Sequence, residues 1–308
     1  MSPDGWRHAA AWRCGVCATV LVGLLAACAQ VPQRDPPVGA SPPVLPVKKP
    51  PRLGLALGGG AARGFAHIGV LQVLEEAGLP PDLLVGTSAG SVVAALYASG
   101  KSGRELQLIA ESMEEASFSD WRLPLFKPGL LRGEALARFI SDQVRGQQIQ
   151  ELPRPLGVVA TDLQSGSSVL FQRGDTATAV RASSAIPAVF QPVSIAGRDY
   201  VDGGLVAPVP VEFARKMGAD LVIAVDISGD LQANAGQDTF QILMKTFAIM
   251  GKGLTAFELQ KADLVVKPAT TGLSSASFAS RSNAIQSGRQ AMQAALPTLR
   301  QLISQRSQ

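Results

Sequence analysis

The chain has 308 residues, of which 46% are hydrophobic and 17% charged, and its formal charge is +4. That length and apolar fraction support one substantial core or two small ones. The sparse charge, with no basic run longer than Lys48-Lys49, excludes the electrostatic footprint of a nucleic-acid-binding protein, and a pI of about 9.1 is a mild bias compatible with anionic lipid surfaces.

Residues 1–27 read as an export signal, with Arg7 and Arg13 followed by an uncharged apolar run that closes on Leu25-Ala26-Ala27-Cys28. The run is too short for a membrane-spanning helix and has the length of a signal-peptide hydrophobic region. Leu-Ala-Ala-Cys resembles the bacterial lipobox, in which the cysteine becomes the lipidated first residue of the mature chain. An ordinary secretory cleavage after Ala27 and an uncleaved anchor are the alternatives. The lipobox reading makes Cys28 a lipid attachment site and the protein a membrane-anchored, periplasm-facing lipoprotein. Ala29, standing where an Asp does not, favours outer-membrane sorting by the same resemblance. All three cysteines (Cys14, Cys17 and Cys28) lie in this N-terminal stretch. The mature domain then has no disulfide, which suits a fold large enough to need none in an oxidising compartment.

Residues 28–51 carry prolines at 32, 36, 37, 42, 43, 46, 50 and 51. Such a segment is an extended tether, rising about 3.1 Å per residue where it is polyproline II. From residue 52 to 308 the pattern becomes strand–helix alternation. Strands are expected at 52–57, 83–85, 156–162, 168–171, 198–200, 221–226 and 264–267, with the third and fourth forming a hairpin around Gln164-Ser165-Gly166. Helices are expected at 61–77, 89–98, 105–116, 134–144, 239–259 and 283–305. Alternation of this kind implies an α/β fold with a mostly parallel sheet and helices on both faces.

Three motifs carry chemistry. Gly86-Thr87-Ser88-Ala89-Gly90 sits between an expected strand and an expected helix, the setting of a nucleophile elbow, with a serine Oγ exposed on a tight turn. The helix N-terminus adds partial positive charge where an oxyanion forms. Gly58-Gly59-Gly60-Ala61-Ala62-Arg63-Gly64 follows the first strand. A dinucleotide loop needs glycine where Arg63 stands, and a P-loop needs a Gly-Lys-Ser/Thr that is missing. An anion cradle of backbone N–H groups at a helix N-terminus and a plain packing turn both remain. Asp202-Gly203-Gly204 alone is as readily a turn.

Histidine separates the mechanisms. The chain has His8, in the signal, and His67, on the helix after the glycine loop. An α/β-hydrolase triad requires a histidine after the acid in chain order, and none exists. A nucleophilic Ser88 must therefore be activated by another group, and His67 is read as structural.

In order and spacing, Gly-Gly-Gly-x-x-Arg-Gly, Gly-Thr-Ser-Ala-Gly and Asp-Gly-Gly resemble the patatin-like phospholipases. So do Ala160-Thr161-Asp162-Leu163, Arg181-Ala182-Ser183-Ser184-Ala185-Ile186-Pro187 and Phe190-Gln191-Pro192-Val193. The resemblance covers roughly residues 52–226. It implies a patatin-like three-layer α/β/α sandwich over residues 52–308 and a metal-free, cofactor-free serine lipid acyl hydrolase with a phospholipid or lysophospholipid substrate. By the same resemblance Ser88 is the nucleophile and Asp202 its proton acceptor. Gly58, Gly59, Gly60 and Ala89 form the oxyanion hole, and Arg63, Gly64, Gly86, Gly90, Gly203 and Gly204 support the motifs. A carboxylate with an ordinary pKa of about 3.9 is a weak base, so the dyad requires a site that holds Asp202 against Oγ and shields it from water. A serine esterase or thioesterase acting on a soluble acyl ester, and a lipid-binding lipoprotein with little turnover, are the competing readings. Phe118, Trp121, Leu123, Leu125, Phe126, Leu130 and Leu131 form either an acyl-pocket wall or ordinary packing.

Overall fold

A computed structural model describes residues 50–113, 131–229, 239–270 and 278–307. The export signal, Cys28, the tether up to Lys49 and the apolar cluster from Phe118 to Leu130 lie outside the described residues.

In chain order the elements begin with β1 (Leu53–Leu57), a 3-10 turn over Ala61–Phe65, α1 (Ala66–Glu76), β2 (Leu83–Thr87), α2 (Ala89–Ala98), α3 (Gly103–Ser112) and α4 (Glu134–Gln143). They continue with β3 (Leu156–Asp162), β4 (Ser168–Phe171), α5 (Thr176–Ser183), β5 (Val193–Ile195), β6 (Arg198–Asp202) and a 3-10 turn over Gly203–Leu205. The last are α6 (Val211–Lys216), β7 (Leu221–Val225), α7 (Thr239–Leu259), β8 (Leu264–Val266) and α8 (Arg281–Arg306). The expected strands and helices are all present within a few residues. The helix expected from 61 is instead a 3-10 turn and then α1, because Ala61 enters at φ 50° and Gly60 has no capping side chain. Sequence reading missed α5, whose start is nonetheless marked by Asp175 accepting from the Thr178 amide at 2.6 Å. It also missed β5 and α6, which are only three and six residues long.

β1, β2, β3 and β7 are buried at every position, as strands covered on both faces must be. The alternation of side chains assigns the two layers. Leu53, Leu55 and Leu57 join the larger core with α1, α2, α3 and α8, while Ala56 faces the other way, onto Val211 and Ala214 of α6. The fold is the expected three-layer α/β/α sandwich on a mixed, mostly parallel sheet in the order β5-β6-β3-β2-β1-β7-β8.

The pairing of β3 positions the site. β4 runs antiparallel along Val158–Thr161 on one edge of β3. On the opposite edge β2 pairs in parallel as far as Thr87↔Val159, and β6 takes over antiparallel from Asp202↔Ala160. β2 and β6 therefore meet end to end along a single edge, and the residue after Thr87 lies beside Asp202. Behind the sheet, α1 and α8 cross closely: a Cβ on Gly288 would lie 1.9 Å from the Ala66 carbonyl oxygen, so only glycine admits the crossing.

Candidate active site

Ser88 is the single residue between β2 and α2, at φ 52°, ψ −125°. This is a costly conformation for a residue with a Cβ, and it persists only where the surroundings over-determine it. They do so here. The Ser88 amide donates to Ser183 Oγ at 2.9 Å, and Ser183 Oγ in turn donates to the Val159 carbonyl at 2.6 Å. Ser91 Oγ donates to the Ser88 carbonyl at 2.7 Å, and Thr87 Oγ1 to the Ala207 carbonyl at 2.8 Å. Gly90 lets α2 close onto β1, since a Cβ there would sit 2.1 Å from the Leu57 carbonyl oxygen.

Asp202 ends β6. Its amide donates to the Ala185 carbonyl at 2.9 Å, and its own carbonyl accepts from Thr161 Oγ1 at 2.8 Å. Its Oδ1 accepts from the Gly204 amide at 2.7 Å, and its Oδ2 accepts from Ser88 Oγ at 2.6 Å. Burial pushes the Asp202 carboxyl up to about 6, against the opposing pull of the Ser88 and Gly204 hydrogen bonds. Losing water disfavours the charged form, and it raises the basicity of this carboxylate toward the value useful near neutrality.

The glycine loop passes directly over the serine: a Cβ on Gly59 would come 3.2 Å from Ser88 Cβ. Of the four amides expected in an oxyanion hole, two are already engaged by the backbone. The Gly58 amide donates to the Val225 carbonyl at 3.1 Å and the Gly59 amide to the Pro208 carbonyl at 2.9 Å, because the backbone stays hydrogen-bonded to its neighbours as it leaves β1. Among the described residues no carbonyl takes the Gly60 or Ala89 amide. Arg63 Nε donates to the Gly60 carbonyl at 3.1 Å and holds the loop closed. His67 Nε2 donates to the Gly58 carbonyl at 2.8 Å, and burial lowers its pKa to about 4. It is a neutral buttress of the loop and makes no hydrogen bond to Ser88 or Asp202. Gly64 faces Ala89, where a Cβ would be 2.8 Å from that residue's Cβ, and Gly86 lies under Gly90.

Ser88 opens into an apolar cavity whose free space, counting the part open to solvent, is about 800 Å³. α2 contributes Val92, Val93 and Leu96, and α3 contributes Leu106, Ile109 and Ala110 with Met113 just past its end, each set spaced as one helical stripe. Among the described residues its polar side chains are Ser88 and Ser184 alone. The Ser184 hydroxyl is buried and has no hydrogen-bond partner among the described residues. The cluster at 118–131, which the sequence leaves as either an acyl-pocket wall or ordinary packing, lies outside the described residues except for Leu131; among the described residues the cavity is walled by α2 and α3. Leu131 bridges to Phe190. Among the described residues no group of three or more His, Cys, Asp or Glu side chains could hold a metal.

Comparison with known proteins gives a consistent set of likenesses. The sequence pattern of the family described as patatin-like phospholipase matches residues 55–215. An uncharacterised NTE family protein of Mycobacterium tuberculosis (strain ATCC 25618 / H37Rv) is 42% identical over 184 residues, covering 58% of this chain and 50% of that protein. The patatin-like phospholipase domain-containing protein 6 of Homo sapiens is 37% identical over 181 residues, covering 57% of this chain and 13% of that protein. The chain thus spans half or less of the length of these relatives. Among solved structures, VipD from Legionella pneumophila superposes with a TM-score of 0.50 at 17% identity, over 82% of this chain and 68% of that one, a likeness of fold.

Proposed function

The chain belongs to the patatin-like phospholipase family, and on that premise we propose that it is a serine lipid acyl hydrolase of phospholipase A or lysophospholipase type. The observation that carries the reading is the 2.6 Å hydrogen bond from Ser88 Oγ to a buried Asp202, made at the mouth of an apolar cavity.

Asp202 Oδ2 takes the Ser88 proton as Oγ attacks the acyl carbonyl carbon. The Gly60 and Ala89 amides, with the positive end of α2, receive the developing oxyanion. Collapse breaks the ester C–O bond. The departing alkoxide takes the proton from Asp202, leaving acyl-Ser88. Water then attacks the acyl carbon while Asp202 removes its proton, and the fatty acid leaves as Ser88 Oγ is reprotonated. The apolar stripes of α2 and α3 hold the acyl chain and keep water from the carboxylate. No metal or cofactor takes part. Lipidation of Cys28 and anchoring to the outer membrane complete the reading, and the intact mass of membrane-extracted protein tests that part.

The deciding experiment digests a lipid extract with purified wild type, Ser88→Ala, Asp202→Asn and His67→Gln. All four are checked for folding by circular dichroism. Ser88→Ala and Asp202→Asn should lose comparable activity, at least on the order of 10³-fold in kcat, because residues acting as a unit fail together. His67→Gln should lose far less. Folded Asp202→Asn with near-normal turnover would remove the dyad. Consumption of soluble acyl esters but of no membrane lipid would replace the lipase with a soluble-ester hydrolase.

A further inference from the structure

α7 is inside out. At about 100° per residue, Gly251, Thr255 and Glu258 fall on one side of the helix. Thr255 and Glu258 are buried there, where α7 packs on α6 and on the turn Gly203–Leu205 that follows Asp202. On the opposite side lie Ile242, Ile249, Met250 and Phe257, which are 56%, 54%, 64% and 58% exposed. They form a stripe about 100° wide and roughly 22 Å long at 1.5 Å per residue. An ordinary surface helix turns such a stripe toward the core.

The charges on α7 indicate what the stripe meets. Lys245 and Lys252 are exposed together on one flank of it. The only acid of the helix, Glu258, points inward, where it binds Lys261 at 3.1 Å and accepts from the Glu212 amide at 3.2 Å. Lys261 also lies over the Phe257 ring, 4.2 Å from its centroid. An apolar stripe bordered by lysines with no exposed acid is the composition of a helix lying in the headgroup–acyl boundary of an anionic bilayer. None of the described helices is long and apolar enough to cross a membrane, so the stripe fits a surface and not a span. A second protein chain would be selected by shape and paired polar groups, and the stripe offers almost no hydrogen-bonding side chain.

We propose that α7 docks the enzyme on anionic phospholipid membranes, its apolar stripe inserted and Lys245 and Lys252 among the headgroups. The proposal deepens the lipid-hydrolase reading by placing the helix packed against the Asp202 turn at the surface where that substrate resides.

The test uses the full-length chain carrying Cys14→Ser, Cys17→Ser and Cys28→Ser, with one added thiol at Met250→Cys or, as control, at exposed Gln301→Cys on α8. Each is labelled with the environment-sensitive fluorophore NBD and mixed with phosphatidylcholine vesicles with or without phosphatidylglycerol. The expected result is a blue shift at position 250 and none at 301, larger with phosphatidylglycerol and weakened by salt. No shift at 250, or equal shifts at both positions, would overturn the proposal. A shift without vesicles would also overturn it, because a second copy (if it grows with protein concentration) or another part of this chain (if it does not) would then cover the stripe. Independently, Ile249→Asn and Phe257→Asn should each reduce hydrolysis of vesicle phospholipid on the order of tenfold, as expected for losing one buried apolar side chain, with turnover of a soluble short-chain ester unchanged. If wild type hydrolyses neither substrate, the hydrolase reading fails while the fluorescence still decides the docking surface.

Discussion

Asp202 ties activity to pH. As the proposed general base it must be ionised, and burial pushes its carboxyl up to about 6. A kcat/KM profile should therefore rise through an acid limb near pH 6 and level off above it, with no limb at the ordinary carboxylate value. The stability effect has the opposite sense. Between about 3.8 and 6 the folded chain keeps this proton while the unfolded chain releases it, so the contribution of Asp202 is fully present at low pH and is lost as pH rises through 6. Asp202→Asn cannot ionise, so its melting temperature at pH 8 should equal or exceed that of wild type. Ser184 gives a comparable dissociation of stability from function. Its hydroxyl is buried without a partner, and an unmade hydrogen bond costs about 1–3 kcal/mol. Ser184→Ala should thus preserve or raise the melting temperature while lowering kcat/KM roughly tenfold, the worth of about one hydrogen bond to a bound ester. Ser88 and Asp202 were legible in the sequence because each sits in a short glycine-flanked motif. Ser183 was quoted within a motif without a role, because its partner, the Ser88 amide, lies 95 positions away and nothing local marks the contact.

Among the elements, the long periodic helices and the apolar strands were readable from period and termini, and β3, β4, α2 and α7 begin and end where the pattern changes. Two of the three misses have a common cause. β5 and α6 are too short to show a period and are held by neighbours distant in sequence. α2 and α3 were readable as helices, but apolar residues on a helix by themselves imply core. Only the assembled packing leaves a cavity between them at Ser88. Ile109 lines that cavity from α3 and is only partly buried in the fold, so it can be enlarged without rebuilding the core. Ile109→Trp should shorten the acyl chain accepted, lowering kcat/KM for long-chain esters about tenfold, the scale set by one to three kcal/mol of lost pocket contact. Short-chain esters should keep near-wild-type rates. A uniform loss across chain lengths would place the acyl group elsewhere.

For the whole molecule, the α/β/α order followed from alternation alone, whereas the meeting of Ser88 and Asp202 did not, because it depends on which edge of which strand β6 chooses. That choice makes β3 a ruler for the proposed catalytic pair: the serine and the aspartate are gauged by consecutive positions, Val159 and Ala160, on one strand. A slip of β6 by one residue would carry the carboxylate about 3.4 Å along the strand and turn it to the other face, ending the contact while leaving nearly all secondary structure in place. Active enzyme therefore requires three segments, the outermost two carrying Ser88 and Asp202, 114 positions apart, to be in register at once, and such non-local pairings form slowly. After dilution from denaturant, far-ultraviolet circular dichroism should recover first and esterase activity later. Aspartate paired off-register would be visible in the interval as a population that is helical, sheet-containing and inert.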